Sequence, residues 1–183
     1  MPSFAKLTVL ILIFLSGLVL GFFLSPAGTP AEIGENQAIP LNDRDYFPTL
    51  KNLIDSANSS VKIIMYTVNF YPPYPDSPSN SLINALGNAS ERGIGVKIIT
   101  DETPTEKPVL SMLRERGVDI KFDSKDVTTH AKLIIIDSKI VIIGSTNWSY
   151  YSIDKNHEAN VMIISEPLAG QFEHYFESVW VES

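Results

Sequence analysis

The sequence predicts an α/β layered domain, with helices flanking a largely parallel sheet, preceded by an apolar membrane segment. Three observations carry this. Beyond residue 42, short aliphatic runs alternate with amphipathic stretches, the pattern of strands and the helices that cover them. The 183 residues carry 44% apolar and 19% charged side chains, enough for one core of ordinary size. Residues 7–24, LTVLILIFLSGLVLGFFL, hold no charge over 18 positions and offer no polar face.

The elements follow in chain order. Segment 7–24 comes after Lys6 and the amino terminus, so it reads as a signal anchor, or as a signal peptide if the small-residue stretch SPAG is cut. Both readings place the remainder outside the cytoplasm, tethered to the membrane or secreted. SPAGTPAEIGENQAIP is rich in Pro, Gly and Ala. The chain therefore divides into a membrane or signal segment at 1–24, a linker at 25–41 and a folded domain at 42–183. Within that domain YFPTLKNLIDSAN predicts a helix and VKIIMYTV a buried strand. SLINALGNASERG is a helix with an apolar face, GVKIIT a strand, VLSMLRERG a short helix ending at Gly117, and VDIKF a strand. KLIIID, SK and IVIIG read as a hairpin whose two loop residues are Ser138 and Lys139. EANVMII is a last strand, PLAGQFEHYFESVW a closing helix. No internal repeat is present, so any chemistry occurs once per chain.

Composition excludes several mechanisms. Without cysteine there are no disulfides, thiolate zinc sites or cysteine nucleophiles. His130, His157 and His174 are too scattered to point to a metal site. The net charge is −7, and Lys6 is the only charged residue before Glu32, which leaves −8 on the rest. Such a domain gains no long-range attraction to polyanions, so phosphate must be bound in a local positive cleft. The loop NFYPPYPDSPSN (69–80) holds four prolines and three aromatics directly after a strand. It reads as a proline-stiffened surface loop, as a rim contacting substrate, or as a polyproline ligand.

The chemistry concentrates in THAKLIIID and GSTNWS. Alternation on a strand puts His130 and Lys132 on one face. With a two-residue hairpin loop, Asp137 faces Ile140, Lys132 faces Ser145 and His130 faces Asn147. A fixed cation, neutral donors and Gly144, which permits close backbone approach, suit a phosphate diester. His130 can attack phosphorus or exchange a proton, and Glu158 is the carboxylate available to stabilise its imidazolium.

These residues resemble the signature of the phospholipase D superfamily, H-x-K-x4-D followed by G-S-x-N. His130, Lys132 and Asp137 match the first part; Gly144, Ser145 and Asn147 match the second, and Glu158 falls where small members carry a carboxylate. The resemblance implies a phospholipase D-like catalytic domain and phosphodiester cleavage without metal or cofactor, through a phosphohistidine on His130. It implies that Lys132 and Asn147, with Ser145, hold phosphate oxygens. Family enzymes use two motif copies, which implies a homodimer with a shared site. His157, adjacent to Glu158 on a strand, is expected on the opposite face. Asp137, at the far end of its strand, is expected to hold the hairpin turn. Endonuclease action on DNA or RNA is the leading expectation. The alternatives are phospholipid hydrolysis or transfer, and an inactive membrane-tethered phosphate-binding module.

Overall fold

The computed structural model describes residues 37–101, 108–123 and 126–183. The expected membrane segment lies outside the described residues, as does most of the expected linker. Among the described residues no helix is long and apolar enough to cross a membrane.

Seven strands form one sheet: β1 (Ala38–Asn42), β2 (Ser60–Met65), β3 (Gly95–Thr100), β4 (Asp119–Phe122), β5 (Lys132–Ile136), β6 (Ile140–Gly144) and β7 (Ala159–Ile164). Their order is β1-β7-β6-β5-β2-β3-β4. The helices are α1 (Tyr46–Asp55), α2 (Pro78–Glu91), α3 (Pro108–Glu115), α4 (Tyr150–Asp154) and α5 (Glu166–Glu182). Serines start three of them: Ser77 caps α2 by accepting from Asn80 N, Ser149 caps α4 by accepting from Ser152 N, and Ser165 caps α5 by accepting from Leu168 N.

The sheet is mixed and antiparallel pairing dominates it, which corrects the expectation of a mostly parallel mixed sheet. Only β2–β3 and β3–β4 pair parallel; the other four pairings are antiparallel. Parallel neighbours need a long crossover, supplied here by α2 and α3. After β4 the chain reverses through shorter connections, and β5 returns antiparallel to β2. The expected linker also ends in a strand. β1 pairs antiparallel with β7 at the sheet edge, where Pro40 can sit without breaking an inner ladder.

The sheet divides the apolar side chains into two layers. Val61, Ile63, Met65, Ile134, Ile136 and Ile142 meet Leu50, Leu82, Leu110 and Trp148 on one face. Ile64, Ile99, Leu133, Ile135 and Val141 meet Ala169 and Phe176 of α5 on the other. β5 therefore buries both faces, as its unbroken aliphatic run requires.

The hairpin register differs by one residue from the sequence reading. Ile136 pairs with Ile140 and Leu133 with Ile143, so the loop is Asp137-Ser138-Lys139. Asp137 and Ser138 both adopt left-handed backbone at φ 53°. Asp137 leaves the ladder because its carboxylate accepts from the backbone N–H groups of Asn58, Ser59 and Ser60. Its own N–H donates to Ser60 O. A contact 77 residues away in sequence thus sets the turn.

Candidate active site

His130 and Lys132 meet at the end of β5. Lys132 is only 7% exposed, whereas His130 is exposed. The Lys132 ammonium donates to the His130 carbonyl at 2.7 Å and stands 3.3 Å from each ring nitrogen. It also sits 5.2 Å from the centre of the Tyr66 ring, and that ring packs 4.7 Å from the His130 ring. Burial lowers the Lys132 pKa, and the Glu158 charge offsets this in part.

The loop before His130 is held from behind. Thr129 is buried, its N–H donates to Asp101 at 2.9 Å, and its hydroxyl donates to Asp123. Asp101 and Asp123 immediately follow β3 and β4. The ends of two parallel strands therefore fix the approach to His130.

Ser145, Asn147 and Glu158 arrive from β6 and β7. Ser145 does not face Lys132, because the shifted register leaves Gly144 across from the ammonium's strand position. Instead the Ser145 hydroxyl donates to Glu158, whose other carboxylate oxygen accepts from Asn156 at 3.0 Å. The expected pairing of His130 with Asn147 fails for the same reason. Asn147 is placed by its neighbour Trp148, whose N–H donates to Thr67 O and whose carbonyl accepts from Asn69 N. The Trp148 indole is fully buried and donates to the Tyr46 hydroxyl at 3.1 Å. Asn147 Oδ1 is buried without a hydrogen-bond partner.

Gly144 approaches protein rather than an open site. A Cβ there would overlap Asn160 Oδ1 and come within 2.6 Å of Asn160 Cα. The buried Asn160 amide donates to Leu41 O and Thr146 Oγ1 and accepts from Thr146 N, tying β1 to the loop that carries Asn147.

His157 points away from this cluster. Its side chain is 99% exposed and bonds to Asp43. Asp43 also clamps the next residue, accepting from Glu158 N at 2.7 Å and donating its own N–H to Glu158 O. The His157 bond holds the Asp43 carboxyl below the usual range. Asp137 lies at the opposite end of β5, and its carboxyl is likewise low. Burial opposes that shift, but the N–H groups of Ser59, Asn58 and Ser60 outweigh it. His174, on α5, is exposed. Among the described residues no group of three or more His, Asp or Glu is placed to hold a metal ion.

The structure thus joins His130 to Lys132 and Ser145 to Glu158, with Lys132 and Glu158 linked by charge. The sequence reading missed Tyr66, Thr129 with its two aspartates, Asp43 and Asn160. Only Tyr66 left a signal, as an aromatic closing a strand that enters a proline-rich loop.

Residues 50–180 match the family model described as "Cardiolipin synthase, PLD-like domain". Mitochondrial cardiolipin hydrolase of Canis lupus familiaris is 26% identical over 160 residues, covering 86% of this chain and 58% of that protein. Phospholipase D of Rickettsia conorii is 33% identical over 120 residues, covering 64% of this chain and 54% of its own length. This chain therefore spans little more than half of these relatives. The crystal structure of a phospholipase D family member, Nuc from Salmonella typhimurium, is 26% identical with a TM-score of 0.66, covering 79% of this chain and 95% of that one. NucT from Helicobacter pylori, at 22% identity and TM-score 0.65 over 79% of this chain and 97% of its own, shares the fold. With most of its folded domain matched by the family and its architecture shared with Nuc, the chain belongs to the phospholipase D superfamily.

Proposed function

We propose that the chain hydrolyses phosphodiesters through a covalent intermediate on His130, without a metal ion. The observation that carries this is an exposed imidazole held against a buried ammonium, a pairing of nucleophile and fixed cation. A His130 nitrogen attacks phosphorus as the bond to the leaving alcohol breaks. Lys132 neutralises the charge that builds on the non-bridging oxygens, and the Asn147 amide supplies a neutral donor. A second imidazole protonates the departing alcohol, then takes a proton from the water that cleaves the nitrogen–phosphorus bond. One chain offers a single suitable histidine, because His157 is turned to Asp43. The active form is therefore a dimer that places two His130 rings across a two-fold axis. Glu158 does not bond to its own chain's His130; its carboxylate, steadied by Ser145 and Asn156, would orient the partner's ring.

The favoured substrate is a phospholipid, in keeping with the likeness to cardiolipin hydrolase and phospholipase D. The segments that build the site and its rim, 42–46, 66–80, 126–132 and 145–159, hold three basic and six acidic residues. A nuclease tracks its substrate with a positive groove. Cleavage of DNA or RNA is the second reading, supported by the likeness to Nuc. Incubating the full-length protein with EDTA and, separately, phospholipid vesicles, single-stranded DNA, duplex DNA and RNA tests both. Cleavage of vesicles with a phosphoryl adduct mapped to His130 is expected, and His130→Ala should abolish both. Sedimentation with activity measured across dilution tests the dimer. Activity that is lost in EDTA and returns with one metal would overturn the mechanism, and a fully active monomer would overturn the shared site.

A further inference from the structure

The His130 ring is exposed, and hydrogen bonds do little to fix its plane. Among the described residues its one polar neighbour is the Lys132 ammonium, 3.3 Å from Nδ1 and 3.3 Å from Nε2. The lone-pair directions of the two nitrogens diverge in the ring plane, so a cation equidistant from both lies along neither. The torsion that turns an imidazole has broad wells. Attack on phosphorus, by contrast, needs the nitrogen aimed in line with the leaving group. Lys132 has a matching need, since it is buried and its hydrogen-bond partners among the described residues are all on His130.

Tyr66 meets both needs, and the sheet puts it there. β2 ends at Met65, which pairs with Lys132 of β5. The next N–H, that of Tyr66, donates to Ala131 O at 3.2 Å, which ties Tyr66 to the residue between His130 and Lys132. Its half-buried ring then lies 4.7 Å from the imidazole centre, tilted by 54°, and 5.2 Å from Lys132 Nζ. Tyrosine ring, imidazole and ammonium thus form a triangle in which each touches the other two. Aromatic pairs at this separation attract, and a cation within about 6 Å of a ring centre is drawn to its electron-rich face. The ring makes both contacts, and the hydroxyl takes part in neither.

We propose that Tyr66 is a positioning residue of this site, whose ring aims the His130 imidazole at phosphorus and steadies the charge on Lys132. The inference rests on the reading of His130 as nucleophile. As the ring nitrogen bonds phosphorus and the phosphorus–oxygen bond to the leaving alcohol breaks, the imidazole acquires positive charge. The tyrosine face attracts that charged ring more strongly than the neutral one, so the contact tightens as the bond forms. Leucine at position 66 would keep an apolar side chain against Lys132 but offer no π face and leave the imidazole free to turn.

The test uses the full-length protein in a maltoside detergent, in excess over bis(4-nitrophenyl) phosphate, so that one turnover of nitrophenolate release reports bond formation to His130. Tyr66→Leu should slow that turnover about tenfold with little change in the half-saturating enzyme concentration. Tyr66→Phe, which returns the ring without the hydroxyl, should restore most of the rate. Phenylalanines fluorinated in steps at position 66 keep the shape of the ring while draining its face, and the rate should fall with each fluorine. This series decides the matter if the leucine variant does not fold. A leucine variant at wild-type rate, a phenylalanine variant as slow as leucine, or a rate indifferent to fluorine would overturn the proposal. Carbon–proton NMR of the histidine rings needs no turnover. The ring current of Tyr66 should set the His130 signals apart from those of exposed His157 and His174, and Tyr66→Leu should remove the difference. His130 signals that coincide with the other two in the wild type would also overturn it. His130→Ala separates the two readings. If that variant releases nitrophenolate as the wild type does, the nucleophile assignment falls. If it is silent while Tyr66→Leu is unimpaired, the nucleophile stands and the role of Tyr66 falls.

Discussion

Replacing Lys132 with methionine separates catalysis from stability. The ammonium is desolvated, and its hydrogen-bond partners among the described residues are all on His130. Its other contact is the Tyr66 ring. A buried cation with so little compensation costs the fold free energy, and methionine fills nearly the same volume without the charge. The His130 carbonyl loses a donor, but His130 is exposed and water replaces it. The melting temperature should therefore hold or rise. Catalysis should move the other way. One preorganised donor at a developing oxyanion is worth about 3–4 kcal/mol, roughly a hundred- to thousandfold in kcat. Nitrophenolate release from bis(4-nitrophenyl) phosphate and thermal unfolding by circular dichroism measure the two effects. The pH dependence adds a third. Because burial depresses the Lys132 pKa, the ammonium is lost, and activity falls, below the 10.5 of a free lysine. Between the folded pKa and that value the unfolded chain binds more protons, so this group's penalty on stability is relieved as pH rises. The methionine variant should lack that alkaline gain. A variant that keeps a tenth of wild-type turnover, or melts several degrees lower, would refute this account of Lys132.

Asp137→Ala should cost about 2 kcal/mol in urea denaturation at neutral pH, since three N–H groups and the Ser59 hydroxyl lose an acceptor that water only partly replaces. The folded pKa is depressed, so this contribution is full above the unfolded value of 3.8 and vanishes as pH falls through the folded one. The gap between wild type and variant should therefore close in acid. Gly144→Ala should destabilise by about 2–3 kcal/mol in thermal melts, because its Cβ would meet the Asn160 backbone, which has no room to yield. Thr129→Val removes the hydroxyl bond to Asp123 beside His130 and should lower kcat about tenfold with little change in KM. Thr129→Ser should restore it, and an unchanged kcat would remove Thr129 as a positioning residue.

The elements were legible in the sequence wherever their cause is local. Strand GVKIIT spans Gly95–Thr100 and IVIIG spans Ile140–Gly144, as their aliphatic runs indicate. Helix α5 starts at a serine cap and a proline that any reader of the chain can see. Candidate residues for the site were legible too, from their types and spacing. Their arrangement was not. Whether Lys132 faces Ser145 or Gly144 depends on a three-residue turn, and that turn exists because the Asp137 carboxylate is claimed by the loop at 58–60. The balance of antiparallel pairing depends on which edges the early strands leave open, and β1 becomes a strand only because β7 presents one. Tyr66 reaches His130, Thr129 meets Asp123, and Asn160 spans Leu41 and Thr146 through pairings between distant strands. Side-chain type and period act over a few residues and fix what each segment becomes. Partner choice is a competition among all segments for edges and donors, and only the folded chain resolves it.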